Sequence, residues 1–420
     1  MPLGSFARHI GAGRSTVTDW ETAGEDLVLT WGLQNALDEA LSQASDEQKL
    51  RFAKAAAGTL LARVPDSTGA LGNGGDTDRA QFFKVVGAGL TVALGPLEEA
   101  WERISGGLDT TARVDDGYLD ALEVMTGAMQ SAYGQPPRML LWHARPHLET
   151  ITELLGGSMS GAHRQRLNVV AGAASLLVGA AAQNAGQWGD AQRHFAAAAV
   201  LGREAGHTAL QAQASGALAQ MHLEAGDPSA PADTAVDYSD EAWHLASTGA
   251  VPSATQSFLA AIRGLIKASG GDVDGLQAAI EDAYRALDRE GPTGIGGRFW
   301  GTWNATIVEL KLGEGLMLAR KADRARVVLQ PTVSRLHGRW QTRAMIALGE
   351  AYLRGDKPEP EQGCELLGDS AERAKAQGYG RGLRLVRGAY ARVPDDLPGL
   401  DCVTTLGERL RAASRPDSTV

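Results

Sequence analysis

A hydrophobic pattern of helical period runs almost unbroken from about residue 80 onward, and small residues are set into it at recurring places. Apolar side chains that return every three to four positions describe one face of an α-helix. The stretch LLVGAAAQNAGQWGDAQRHFAAAA (176–199) adds a second regularity, with Gly179, Ala182, Gly186, Ala191, Phe195 and Ala198 following in order. Small residues in the middle of one helix let the next approach closely, and Phe195 is placed to fill the gap to the following pair. Later positions that align with Gly179 are Ala219, Gly264, Gly313 and Gly349. A single hairpin of this kind cannot bury its own apolar face, so the hairpins are expected to stack into a curved solenoid with a concave surface. Strand-like segments are scarce. The best, TVAL at 91–94, sits inside a longer helical pattern. Aromatic residues make up only 5% of the chain, and alanine, leucine and glycine dominate its apolar set, a mixture that suits closely packed helices.

The pattern divides the 420 residues. Residues 1–64 read as a small unit of short helices. Residues 65–79, VPDSTGALGNGGDTD, lack apolar periodicity and are rich in Gly, Ser, Thr and Asp, the composition of a flexible linker. Residues 80–162 read as helical hairpins, with helices expected near 80–105, 115–133 and 137–155. Residues 163–415 carry the repeat.

Charge and cysteine content narrow the function. A net charge of −10 gives no global attraction to nucleic acid or to an anionic membrane, so any DNA contact must be local. The chain has two cysteines, Cys364 and Cys402, too few for a disulfide framework and not spaced as a metal site. With no apolar core in MPLGSFARHIGAGRST to make a signal peptide, the expected compartment is the cytoplasm. The apolar stretch 79–95 is too short to span a bilayer and reads as a buried helix. His143 and His147 are spaced as two ligands on one helix face, but Pro146 lies between them and no third ligand follows at a suitable spacing. There is no nucleophile elbow and no zinc-protease motif. The expectation is a binding protein, with no catalytic residue, cofactor or metal.

Two resemblances follow from these residues. The 176–199 segment resembles the tetratricopeptide repeat, which has a small residue, a small or aromatic residue three positions on, and Ala-x3-Phe in its second helix. ALGEAYLRGD (347–356) shares it through Gly349 and Tyr352. The spacing here is wider than that family's ~34 residues, which inserted loops such as GDPSAPADTAVD (226–237) would explain. In SFARHIGAGRSTVTDWETAG (5–24), Phe6, Ala7 and Ile10 form one apolar face, Gly11 allows a tight turn, and Val17 and Trp20 form the next face. Ile10–Glu21 resembles the helix-turn-helix of lambda-repressor-like regulators, the xenobiotic-response-element family, whose actinobacterial members often join such a domain to a tetratricopeptide-like array. The match starts at what would be that domain's second helix, so its first helix is expected to be missing here. Acidic residues also outnumber basic ones over 1–64.

The resemblance implies an all-α chain, with an N-terminal helix-turn-helix region followed by a tetratricopeptide-like α-solenoid, that works as a transcriptional regulator. Arg14, Ser15, Thr16, Thr18 and Asp19 fall in its recognition-helix positions and would meet DNA. On the repeat alignment Gln183 and Asn184 fall late in a first helix, on the concave side, and Arg343 and Glu350 do so in a later unit. Trp300 and Trp303, in GIGGRFWGTWN (294–304), stand at the junction between units. These six residues are expected to meet a peptide, a small-molecule signal or a protein partner in the groove. Interrepeat packing is the alternative for the tryptophans, and a solvated groove for the amides. A homodimer is also compatible with this reading. The competing function is a protein-interaction scaffold that has lost DNA binding.

Overall fold

The computed structural model describes residues 114–225, 233–289, 303–394, 397 and 400–413. Contacts divide the chain after Ala93, and every described residue lies in the second unit. The proposed DNA-reading positions Arg14, Ser15, Thr16, Thr18 and Asp19, the 65–79 linker, the 80–105 helix and Trp300 lie outside the described residues.

Among the described residues there are fourteen helices and no strand. They are α1 (Asp116–Ser131), α2 (Pro137–Leu155), α3 (Gly161–Ala185), α4 (Trp188–Glu204), α5 (Thr208–Ala225), α6 (Thr234–Thr248) and α7 (Ser253–Ser269). Then follow α8 (Val273–Leu287), α9 (Ala305–Leu318), α10 (Ala322–Arg335), α11 (Gly338–Arg354), α12 (Pro360–Ala376), α13 (Gly380–Ala391) and α14 (Asp401–Ala413). The boundaries follow local chemistry. Asp115 begins α1 by accepting from the Tyr118 amide at 2.7 Å, and Asp272 and Asn304 cap α8 and α9 in the same way. Pro137 stands in the first turn of α2, where its missing N–H costs no hydrogen bond.

From α3 onward the chain is a stack of hairpins, α3 with α4, α5 with α6, α7 with α8, α9 with α10 and α11 with α12. The small residues aligned in the sequence lie where the two helices of a hairpin meet. A Cβ at Gly179 would stand 2.7 Å from the Phe195 ring, and one at Gly313 would stand 2.4 Å from Leu329. Phe195 is fully buried, as its place in the repeat implied. Helix α3 is long and apolar enough to cross a membrane by length and composition, yet 94% of that segment is buried inside the fold. It is a buried core helix of the array.

The odd-numbered helices form an inner layer. Each of α3, α5, α7, α9 and α11 touches the next inner helix, α11 touches α13, and α13 returns to touch α3. The array therefore closes on itself. Two glycines make the closing contact possible. Gly186 ends α3 in the left-handed region, at φ 84°, which a side chain rarely tolerates. Gly380 begins α13 so close to that end that a Cβ on it would lie 2.4 Å from the Ala185 carbonyl oxygen.

Gly380→Val should therefore push α13 off α3 and lower stability by roughly 1–3 kcal/mol in denaturant unfolding. Gly134→Ala, where an added Cβ meets nothing within 4 Å, should stay within about 0.5 kcal/mol of the wild type. Equal effects from the two substitutions would contradict the closing contact.

Candidate functional site

The inner helices bring a set of charged side chains together inside the closed array. Helix α5 supplies Glu224 at its C-terminal end, α9 supplies Lys311 and Glu314 one turn apart, α11 supplies Arg343, and α13 supplies Arg381. Glu224 lies at the centre. It accepts from Arg343 Nη2 at 2.7 Å and from Arg381 Nε at 2.7 Å, with a second bond from Arg381 Nη2. Gln220, one turn earlier on α5, also donates to it at 3.1 Å. Arg343 donates onward to both oxygens of Glu314, and Lys311 Nζ reaches Glu314 at 2.9 Å. Arg381 Nη1 donates to Gln183 Oε1 of α3 at 3.2 Å. The bonds from Arg343 and Arg381 to Glu224, and from Arg381 to Gln183, span 119 to 198 residues of sequence. The whole set links α5, α9, α11, α13 and α3 through one buried network.

The electrostatics follow from enclosure. Burial by itself would raise the Glu224 carboxyl, but the Arg343 and Arg381 guanidiniums outweigh it and hold Glu224 far below the usual carboxylate range. Burial is likewise outweighed at Glu314, by Arg343 and then Lys311, so this carboxyl is lowered too. Lys311 goes the other way. It is completely buried, and desolvation, reinforced by the neighbouring Arg343 charge, brings it down to about 8. Its ammonium lies 5.8 Å from the Trp340 ring centre, a cation–π contact. Burial raises the hydroxyl of Tyr379, which is 2% exposed. Counted over the described residues, three cations (Lys311, Arg343 and Arg381) face two carboxylates (Glu224 and Glu314). In addition, Gln183 Nε2 is buried with no hydrogen-bond partner. The interior therefore carries surplus positive charge and a donor without an acceptor.

The residues singled out from sequence fare differently. Gln183 and Arg343 belong to this network. Asn184 is buried, and its amide donates to the Tyr133 hydroxyl at 2.7 Å. Glu350 is buried at the far end of α11, where it accepts from Arg354 at 2.6 Å and from Arg392 at 2.7 and 2.8 Å. Trp303 packs between hairpins. Its indole N–H donates to Ser257 at 2.9 Å, and its ring meets Phe258 and Trp340 edge-on. Where α13 touches α3, Gln183 and Arg343 are joined through Arg381 and Glu224 by the chain's own hydrogen bonds. His143 and His147, not expected to form a metal pair, both lie on α2. His147 is buried against Thr126, at 2.8 Å, and burial brings it down to about 4. Pro146 does not break α2, which continues through it.

Glu224, Lys311, Glu314, Arg381 and Tyr379 were not singled out from sequence. Lys311 had a readable signal, since it is the one cation in the largely apolar stretch ATIVELKLGEGLML. Arg381 did not, because it belongs to GRGLRLVRG, where arginines recur at every third position and nothing marks Arg381 from Arg384 or Arg387.

No family model and no curated protein matches the chain. Among solved structures it is similar to a signal transduction ATPase with numerous domains from Pyrococcus horikoshii, a protein with a tetratricopeptide repeat sensor. That match is 11% identical, covers 97% of this chain and 68% of the other, and has a TM-score of 0.34. At this distance no residue role and no activity carries over.

Lys311→Met should remove the surplus cation while leaving Glu314 paired with Arg343. Because the folded lysine is depressed below its ordinary value of 10.5, the unfolded chain binds its proton more tightly between pH 8 and 10.5. The lysine's cost is thus fully present at pH 7 and disappears as pH rises through that window. The stability advantage of Lys311→Met over wild type should be largest at neutral pH and shrink by on the order of 3 kcal/mol toward pH 10.5. A gap independent of pH would show that Lys311 is not held in a desolvating site.

Proposed function

We propose that this chain is a DNA-binding transcriptional regulator whose tetratricopeptide-like array receives a peptide, a small signal molecule or a protein partner. The observation that carries the sensing half is the imbalance inside the array. A buried cluster with one more cation than carboxylate, next to the unpartnered Gln183 Nε2, suits a ligand that offers an anionic group such as a carboxylate or phosphate. Such a ligand would compete with Glu224 for Arg343 and Arg381, and so would act on the contacts that hold the array closed. In that way binding energy becomes a change in array geometry, which is what an allosteric regulator requires. The regulating half rests on the resemblance of Ile10–Glu21 to a helix-turn-helix. In this reading the protein is cytoplasmic, needs no cofactor and is not an enzyme.

The alternative, a scaffold that has lost DNA binding, is favoured by one observation, the acidic balance of residues 1–64 and of the whole chain. A gel-shift titration of the full chain against the DNA upstream of its own gene separates the two. The regulator reading predicts a sequence-specific shift that weakens with salt. It also predicts that Arg14→Ala costs on the order of 1–3 kcal/mol of that binding if Arg14 makes a bidentate base contact. Specific binding that Arg14→Ala leaves unchanged would move the contact elsewhere, and no specific shift at any salt concentration would leave the scaffold.

A further inference from the structure

Trp142 stands 65% exposed on α2, the only exposed Phe, Tyr or Trp among the described residues. The other described tryptophans are packed. Arg384 lies over the Trp188 ring, Arg263 lies over the Trp243 ring, and Trp303 meets Trp340 edge-on. Met139, one turn before Trp142, is 41% exposed. The opposite side of α2 packs into the core through Leu140, Leu141, Ala144, Leu148 and Ile151.

The outer face of α2 has an ordered chemistry. Arg138, Pro146, Glu149 and Glu153 are exposed and share it with Met139 and Trp142, within an arc of about 100° at helical period. The cation stands at the N-terminal end, the apolar side chains follow, and the carboxylates stand at the C-terminal end. Arg138, Glu149 and Glu153 make no ion pair and no side-chain hydrogen bond among the described residues. Beside the acidic end lies an open cleft of about 610 Å³ between α2 and α4, lined by Leu148, Glu149, Glu153 and His194 among others. Its two arginines, Arg145 and Arg193, are both bound to Asp190, so the two glutamates set the charge it offers.

We infer that this face of α2 is the docking surface for a second copy of the chain, which packs antiparallel on it in a two-fold symmetric dimer.

An interface of that symmetry needs one surface that complements itself after a half-turn. A two-fold axis crossing α2 midway between Trp142 and Pro146 sets Trp142 against the partner's Pro146. At a rise of ~1.5 Å per residue, Arg138 lies about 9 Å before that axis and Glu149 about 7.5 Å after it. Each Arg138 therefore comes level with the partner's Glu149, and the contact occurs twice by symmetry. The protruding end that carries Arg138 and Met139 faces the cleft beside the other copy's acidic end. A parallel approach would instead oppose like charges. Tryptophan supplies a large, rigid apolar surface, which is why it dominates the energetics of interfaces. One helix face is smaller than the ~800 Å² per partner of a standard stable interface, so this dimer forms and separates with concentration.

Sedimentation equilibrium of the full chain over roughly 1–300 µM tests the inference. The wild type should pass from monomer toward dimer within that range. Trp142→Ala should weaken association by roughly tenfold or more with helicity unchanged, since most of the side chain faces solvent in the monomer. Arg138→Glu and Glu149→Arg should each weaken it, because each sets like charges across the axis. An equimolar mixture of these two variants should regain association, since in the mixed pair both contacts again join opposite charges. The inference is overturned if the wild type stays monomeric throughout, if Trp142→Ala leaves association unchanged, or if the mixture associates no better than its components.

Discussion

Glu224 accepting from both Arg343 and Arg381 is the contact on which the rest of this array depends. A stack of helical hairpins extends naturally, since each pair needs only its neighbours. Here the stack turns back, and the inner helix α13 meets α3. Apolar packing alone offers little to specify that meeting, because α13 has few buried residues, Arg381 among them. Specificity comes from charge. Glu224 bonds guanidiniums from α11 and α13 at once, and Gln183 of α3 holds the same Arg381. Enclosure makes each bond strong and makes the loss of any partner expensive.

The same property makes the interior responsive. Buried ions are costly to desolvate, and a network with surplus positive charge leaves part of that cost unrelieved. Lys311 registers it directly, since burial and Arg343 bring its ammonium down to about 8. A fold selected for stability alone has simpler ways to fill this space with apolar side chains. A closure built from ions is sensitive to competing charge, as a switching element must be.

Much of the fold was legible in the sequence, and for a local reason. Helices expected near 115–133 and 137–155 are found at Asp116–Ser131 and Pro137–Leu155. The contact between Gly179 and Phe195 lies within one hairpin, so its two sides appear together in one short stretch of sequence. Repeat periodicity also identified Gln183 and Arg343 as inward-facing, because facing follows from helical phase. Phase does not reveal the partner. Arg381 and Glu224 stand 157 residues apart, and nothing along a single sequence pairs them. In the same way nothing in the sequence pairs Asn184 with Tyr133, Trp303 with Ser257 or Glu350 with Arg392, the hydrogen bonds these residues make in the fold.

The central claim is that Glu224 and Arg381 hold the array closed across that distance. A double-mutant cycle in the full chain, with Glu224→Gln, Arg381→Gln and the pair together, isolates their interaction from the packing around them. The account predicts a coupling energy on the order of 1.5–4 kcal/mol, typical of a close and desolvated charge pair. A coupling below about 0.5 kcal/mol, the value for sites that do not interact, would contradict it.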